Sequence, residues 1–203
     1  MVVKRDPDRT REKILQAAFQ EVHQHGFRSA SVDRILADTG LTKGALYHHF
    51  PNKAALGYAI VDEIIYGYII ENWLQPLDEN SDPIGALIKQ VREPKHVEEI
   101  CSNGCPLNNL AQEMSPIDET FRQKIEAVFT RWRSGIADRL RRGQEAGHVR
   151  KDIDCDQAAT FIVATVEGAS SLAKNSHDPK LLCACAESLV VYLEALRPQL
   201  SQG

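Results

Sequence analysis

Apolar positions recur at helical spacing along almost the whole chain, and no stretch alternates strictly between apolar and polar residues. The sequence therefore predicts helices throughout. The first runs from about Arg9 to His25, with Ile14, Leu15, Ala18, Phe19 and Val22 as its apolar stripe. Asp8 or Thr10 caps its start, and Gly26 stops it, with Phe27 placed to close the cap. Ser31 is an N-cap for a short second helix, about Val32 to Thr39, whose Val32, Ile35 and Leu36 face inward. Gly40 breaks the chain, Leu41 turns inward, and Thr42 caps a third short helix from about Lys43 to Phe50, ended by Pro51. A fourth helix opens near Asn52 and continues to about Leu74.

Beyond Pro76 the residues 78–83 read as a linker, followed by helices at roughly 84–93, 97–113, 117–146, 155–174 and 179–196. Pro94, Ser115–Pro116, Gly143 with Gly147, and His177–Asp178–Pro179 mark the breaks. Gly104 and Pro106 distort the middle of the 97–113 segment, so it reads as one bent helix or two pieces. The predicted fold class is all-α. An N-terminal three-helix, helix-turn-helix domain occupies residues 1–56, and a larger helical regulatory and dimerisation domain occupies residues 57–203.

Charge sharpens this division. Residues 1–56 hold nine Lys/Arg against six Asp/Glu, and the remainder holds 15 against 22, in a chain of net charge −4. A basic head on an acidic body suggests a polyanion partner for the head, or a chance clustering. No apolar run reaches the roughly 20 residues that span a bilayer. The charged N-terminus lacks a signal core, so a cytoplasmic protein is expected. Five cysteines, an odd number, argue against a disulfide framework. No phosphate loop, nucleophile–base motif or HExxH metal pair is present, so the chain is not expected to be an enzyme or to carry a cofactor or metal.

Two short helices joined by a tight glycine turn form a DNA-reading unit. Periodicity turns Leu46 and Phe50 inward and Gly44, Ala45, Tyr47 and His48 outward, with Thr42 and Lys43 at the tip. Glycine inside a helix costs about 1 kcal/mol relative to alanine. At Gly44 the missing side chain would let the backbone lie close to a DNA groove; the alternative is a tight internal contact. Tyr47 and His48 suit phosphate oxygens or base edges. His48 and His49 point about 100° apart, which disfavours a shared metal. His49 lies nearer the inward side and reads as structural. Lys53 opposes the dipole at the start of helix four, which makes sense if a phosphate binds there; a solvated lysine is the alternative. Ser31 occupies a comparable N-terminus.

The stretch Ser31-Val32-x-x-Ile35-x-Ala37-x-x-Gly40-Leu41-Thr42-Lys43-Gly44-Ala45-Leu46-Tyr47-His48-His49-Phe50-x-Asn52-Lys53-x-x-Leu56 resembles the TetR family of bacterial transcriptional regulators. The resemblance covers about the first 57 residues, including the helix-one pattern ending at Gly26-Phe27. It implies a homodimer, usually a repressor, bound to a palindromic double-stranded DNA operator and released by a small-molecule ligand or a cysteine-reactive signal. Carried over by position, it implies base or backbone contacts for Thr42, Lys43 and Tyr47, and phosphate contacts for His48, His49 and Lys53. Asp33 departs from the basic residue that some members carry on helix two, and it would repel phosphate. The competing function classes are a helical dimeric adaptor and an enzyme without a DNA-binding role.

In the larger domain, Tyr66, Trp73, Met114, Phe121, Phe129 and Trp132 are candidates to line an effector pocket; ordinary core packing is the alternative for each. Cys105 joins them because the Gly104-Cys105 element resembles one in a TetR subgroup, some of whose members sense electrophiles or oxidants through cysteine. The alternative for Cys101 and Cys105 is a small buried hydrophobe. Phe161, Thr165, Gly168, Ala169, Leu181, Cys185, Leu189 and Tyr192 form stripes on the last two helices, and the resemblance implies that these build a four-helix dimer interface; ordinary intramolecular core is the alternative.

Overall fold

The computed structural model describes residues 7–198, so residues 1–6 and 199–203, the outer ends of the two expected domains, lie outside the described residues. The described chain is helical, with no strand among the described residues. In order the elements are α1 (Pro7–His25), α2 (Val32–Thr39), α3 (Lys43–His49), α4 (Lys53–Ala59), π1 (Ile60–Ile65), α5 (Tyr66–Ile69), π2 (Ile70–Leu74), α6 (Gln75–Asp78), α7 (Pro83–Arg92), α8 (Val97–Asn103), α9 (Pro106–Met114), α10 (Glu119–Ala146), α11 (Cys155–Ser176) and α12 (Pro179–Ala195). The all-α expectation holds. The 97–113 segment is two helices, because Gly104 takes a φ of 77° between α8 and α9.

The chain forms two compact units. One comprises residues up to Gly67 together with Pro106–Val128; the other comprises Tyr68–Cys105 together with the chain from Phe129 onward. In the first, α1 packs on α2, α3 and α4. Ile14, Leu15 and Ala18 are buried with Ile35, Leu46, Phe50 and Leu56. Burying side chains of this size supplies about 1.5–3 kcal/mol each, which holds helices as short as α2 and α3 that would be marginal alone. Caps place their ends: the Ser31, Thr42 and Asn52 side chains accept from the backbone N–H of Arg34, Ala45 and Ala55. Gly40 ends α2 in the left-handed region, at φ 66°.

Three acidic side chains brace this unit. Glu21, buried on α1, accepts from the Ser31 N–H at 2.8 Å and from Arg34 Nε at 2.7 Å, locking the approach to α2. Burial works against its ionisation, but Arg34 and the Ser31 N–H outweigh it and hold the carboxyl below its ordinary range. Glu113, on α9, accepts from the N–H groups of Phe27 and Arg28 at 2.8 Å each, satisfying the turn after α1. Asp118 does the same at the start of α10, accepting from the Phe121 N–H at 2.9 Å and from the Tyr58 hydroxyl at 3.0 Å.

Gly57 is required by close approach. A Cβ there would lie 2.4 Å from a Phe27 ring carbon and 2.6 Å from one of Phe121, rings that meet edge to face at 4.8 Å. Gly57→Ala is therefore expected to destabilise the protein by about 1–3 kcal/mol despite alanine's better helix propensity. Urea unfolding followed by circular dichroism checks this; an unchanged or raised midpoint would show that the two rings can move aside.

In the second unit, α11 packs against α8 and α12, and α12 against α7. Trp132 is buried against Trp73, ring centroids 4.9 Å apart. Arg139 pairs with Asp78, and Arg197 reaches Asp82 with both terminal nitrogens, at 3.1 and 2.9 Å. No helix among the described residues is long and apolar enough to cross a membrane.

Candidate nucleic-acid interface and regulatory cavity

The first unit presents an exposed polar surface on α3. Thr42 caps the helix and is exposed, as are Lys43, Gly44 and His48. Tyr47 leaves 45% of its surface in solvent, high for so large a ring. Leu46 and Phe50 are buried beneath, so the inward and outward positions fall where periodicity puts them. A Cβ on Gly44 would meet nothing closer than Thr42 Oγ1 at 3.8 Å. No internal contact requires this glycine, which removes the competing explanation for it.

Lys43 and Asp33 form an ion pair at 2.8 Å, both largely exposed. Asp33 is thus the partner of the tip lysine, and its hydrogen bond raises the Lys43 pKa. Lys53 is half-buried. Its Nζ donates to the Arg28 carbonyl at 3.1 Å and sits 5.1 Å from the centre of the Phe27 ring. Burial lowers its pKa against the pull of Glu113 and Glu21. Ser31 Oγ caps α2, and the His48 and His49 rings meet edge to face at 5.2 Å. No group of three His, Cys, Asp or Glu side chains among the described residues could hold a metal.

The second unit holds a cavity of about 510 Å³. Its walls include Tyr68, Trp73, Gln90, Thr165, Ala169 and Leu189. Of the pocket candidates, only Trp73 lines it. Trp132 is buried behind Trp73, while Phe129 is half-buried elsewhere in the same unit. Met114 and Phe121 belong to the core of the first unit, and Tyr66 is exposed there.

Cys105 donates to Glu167 Oε1 at 3.1 Å. Burial pushes the Glu167 carboxyl up to about 7, only partly offset by the thiol, and its Oε2 has no partner among the described residues. Tyr68 is pushed up to about 12 by burial and by the nearby Cys105, Glu99 and Glu167.

The interface candidates divide by face. On α11, Phe161 and Gly168 are exposed, as is Leu172, which is not among the candidates, whereas Thr165 and Ala169 turn to the cavity. On α12, Val191 is exposed while Cys185 and Leu189 face the cavity, and Leu181 is half-buried. Tyr192 packs on Phe161, ring centroids 4.6 Å apart. Sequence reasoning gave no role to Glu21, Glu113, Tyr68, Gln90 or Glu167.

A three-helix unit with a short, exposed, capped helix after a glycine turn defines a helix-turn-helix DNA-binding protein. Comparison places it further. Residues 14–60 match the family described as bacterial regulatory proteins, tetR family, and residues 84–189 match the tetracyclin repressor-like C-terminal domain. The HTH-type transcriptional regulator YxaF of Bacillus subtilis (strain 168) is 31% identical over 90% of this chain and 94% of its own. The HTH-type transcriptional repressor DhaR of Mycobacterium sp. (strain GP1) is 27% identical over 93% and 92%. A TetR-family regulator from Cytophaga hutchinsonii shares the fold with a TM-score of 0.86 at 22% identity, covering 96% of this chain and 98% of that one. The chain belongs to the TetR family. It is a DNA-binding transcriptional regulator rather than an enzyme.

Proposed function

We propose that the protein is a homodimeric repressor that binds a palindromic operator and is released by a small-molecule effector. The observation that carries the DNA reading is the bare outer face of α3, where Gly44 has no internal reason to be glycine and Lys43 and Tyr47 flank it. In this reading Thr42, Lys43, Gly44 and Tyr47 approach base edges, and Ser31, His48, His49 and Lys53 lie toward the phosphates. Residues 1–56 act as the DNA-binding domain and residues 57–203 as the effector-binding and dimerisation domain. The exposed apolar side chains Phe161, Leu172 and Val191 on the outward faces of α11 and α12 support pairing with a second copy. Two heads spaced about 34 Å apart then meet successive major grooves.

An effector that favours a different head spacing weakens operator binding by a coupling energy of about 1–3 kcal/mol. A gel-shift with palindromic fragments from upstream of the gene and its neighbour tests this. The effector-free protein is expected to shift one fragment as a dimer at low salt, ahead of random DNA. Failure to prefer any such fragment would sink the repressor reading.

A further inference from the structure

The cavity of the second unit has an uneven hydrogen-bond inventory. Gln90 Nε2 donates to the carbonyls of both Asn72 and Trp73, at 3.0 Å each. Those carbonyls belong to π2, so the bonds fix which way the amide faces. Its Oε1 is buried and has no partner among the described residues. The other polar groups of the wall are largely committed. Thr165 and Ser170 donate their hydroxyls to the Phe161 and Val166 carbonyls, at 2.8 and 3.0 Å. Asn72 donates to the Tyr68 carbonyl at 2.9 Å and accepts from Lys95 at 3.1 Å. At Gln90 the wall leaves acceptor capacity open, and a buried acceptor left unpaired costs about 1–3 kcal/mol. The charged residues at the rim, Glu79, Glu93, Lys89 and Lys95, are exposed and balance in sign. The remaining surface is Tyr68, Trp73, Cys185 and aliphatic side chains, in a volume typical of sites for drug-sized ligands.

We propose that this cavity binds an uncharged, flat, apolar molecule that carries a hydroxyl or N–H donor, and that Gln90 Oε1 accepts that donor while the body lies along Trp73. A carboxylate in the same place would set like partial charges against Oε1 and gain no donor. The regulatory consequence, operator release, rests on the effector-controlled reading above; the binding chemistry does not.

The test uses the full-length protein and four probes of one shape: para-phenylphenol, its methyl ether, biphenyl and para-phenylbenzoate. Binding is followed by tryptophan fluorescence and calorimetry. Para-phenylphenol is expected to bind at least about fivefold tighter than the ether or biphenyl, the worth of one net hydrogen bond, with the benzoate weakest. Gln90→Met should bring the phenol within about twofold of biphenyl, and Ala186→Trp, which fills the cavity, should abolish binding of all four. The ether comparison needs no altered protein, so the proposal stays testable even if Gln90→Met fails to fold. Equal affinities for phenol and ether, preference for the benzoate, or binding that survives Ala186→Trp would overturn it. A donor-dependent affinity with no change in operator binding would uphold the ligand class and reject effector release. Release by all four probes alike would do the reverse.

Discussion

Replacing Lys43 and Tyr47 together by alanine is expected to lower operator affinity about 100- to 1,000-fold and bring it toward that of random DNA. Each contact to a base edge is worth roughly 1–3 kcal/mol, and the two side chains stand on separate turns of one helix face. Neither holds the fold, since both are exposed and the buried anchors of α3 are Leu46 and Phe50. The double variant should therefore melt like the parent and stay dimeric. Fluorescence anisotropy against salt gives a second readout. Losing a lysine–phosphate contact lowers the slope of log affinity on log salt by about one, whereas losing only base contacts leaves it unchanged. Asp33 enters here as well, because it pairs with the Lys43 ammonium in the free protein, and on the proposed reading that pair must give way to DNA. Full affinity in the double variant would place the reading surface elsewhere.

The second large effect is at Glu167. Its carboxyl titrates at about 7 in the folded chain because burial penalises the charge, whereas an unfolded glutamate titrates near 4.3. Between those values the folded state holds a proton that the unfolded state has lost. Stability therefore falls as pH rises through that window, by roughly 3 kcal/mol in all, and the loss is complete above the folded value. Glu167→Gln removes the titration. It is expected to be close to the parent near pH 4 and more stable than it near pH 8, by up to that amount. Urea midpoints for both proteins across this range check the sign and the size. A stability difference that does not change with pH would mean that the carboxyl is hydrated in solution.

Much of the fold could be read from local chemistry. Helix ends are written in residues with little freedom: Gly26, Gly40 and Gly104 at positive φ, Ser31, Thr42 and Asn52 as caps, and proline after the breaks. The outer face of α3 was legible for the same reason, since one short helix has only one way to bury Leu46 and Phe50. The two π segments were not legible. A stretch as rich in apolar residues as 60–74 buries them equally well at either period, so its pattern does not distinguish the two. Glu113, and Glu21 in part, were invisible because they bind backbone N–H groups, which carry no residue signature. The pocket candidates were chosen for being aromatic. Large rings fill cores as readily as they line cavities, and Phe121 and Trp132 do the former. The cavity's polar character came from Gln90, one amide among many until its two carbonyl partners are seen.

The helix pair α11–α12 turns one side to the cavity and the other to solvent, with Thr165 and Gly168, or Leu189 and Val191, only two or three residues apart. Changes on the inner side can alter which molecule is recognised while the outer side keeps its shape. Ligand preference and self-assembly can thus diverge separately within one gene lineage. A designer could exchange the inner set, beginning with Ala169, Cys185 and Leu189, to change the lining of the cavity without redrawing the outward surface proposed to pair two copies.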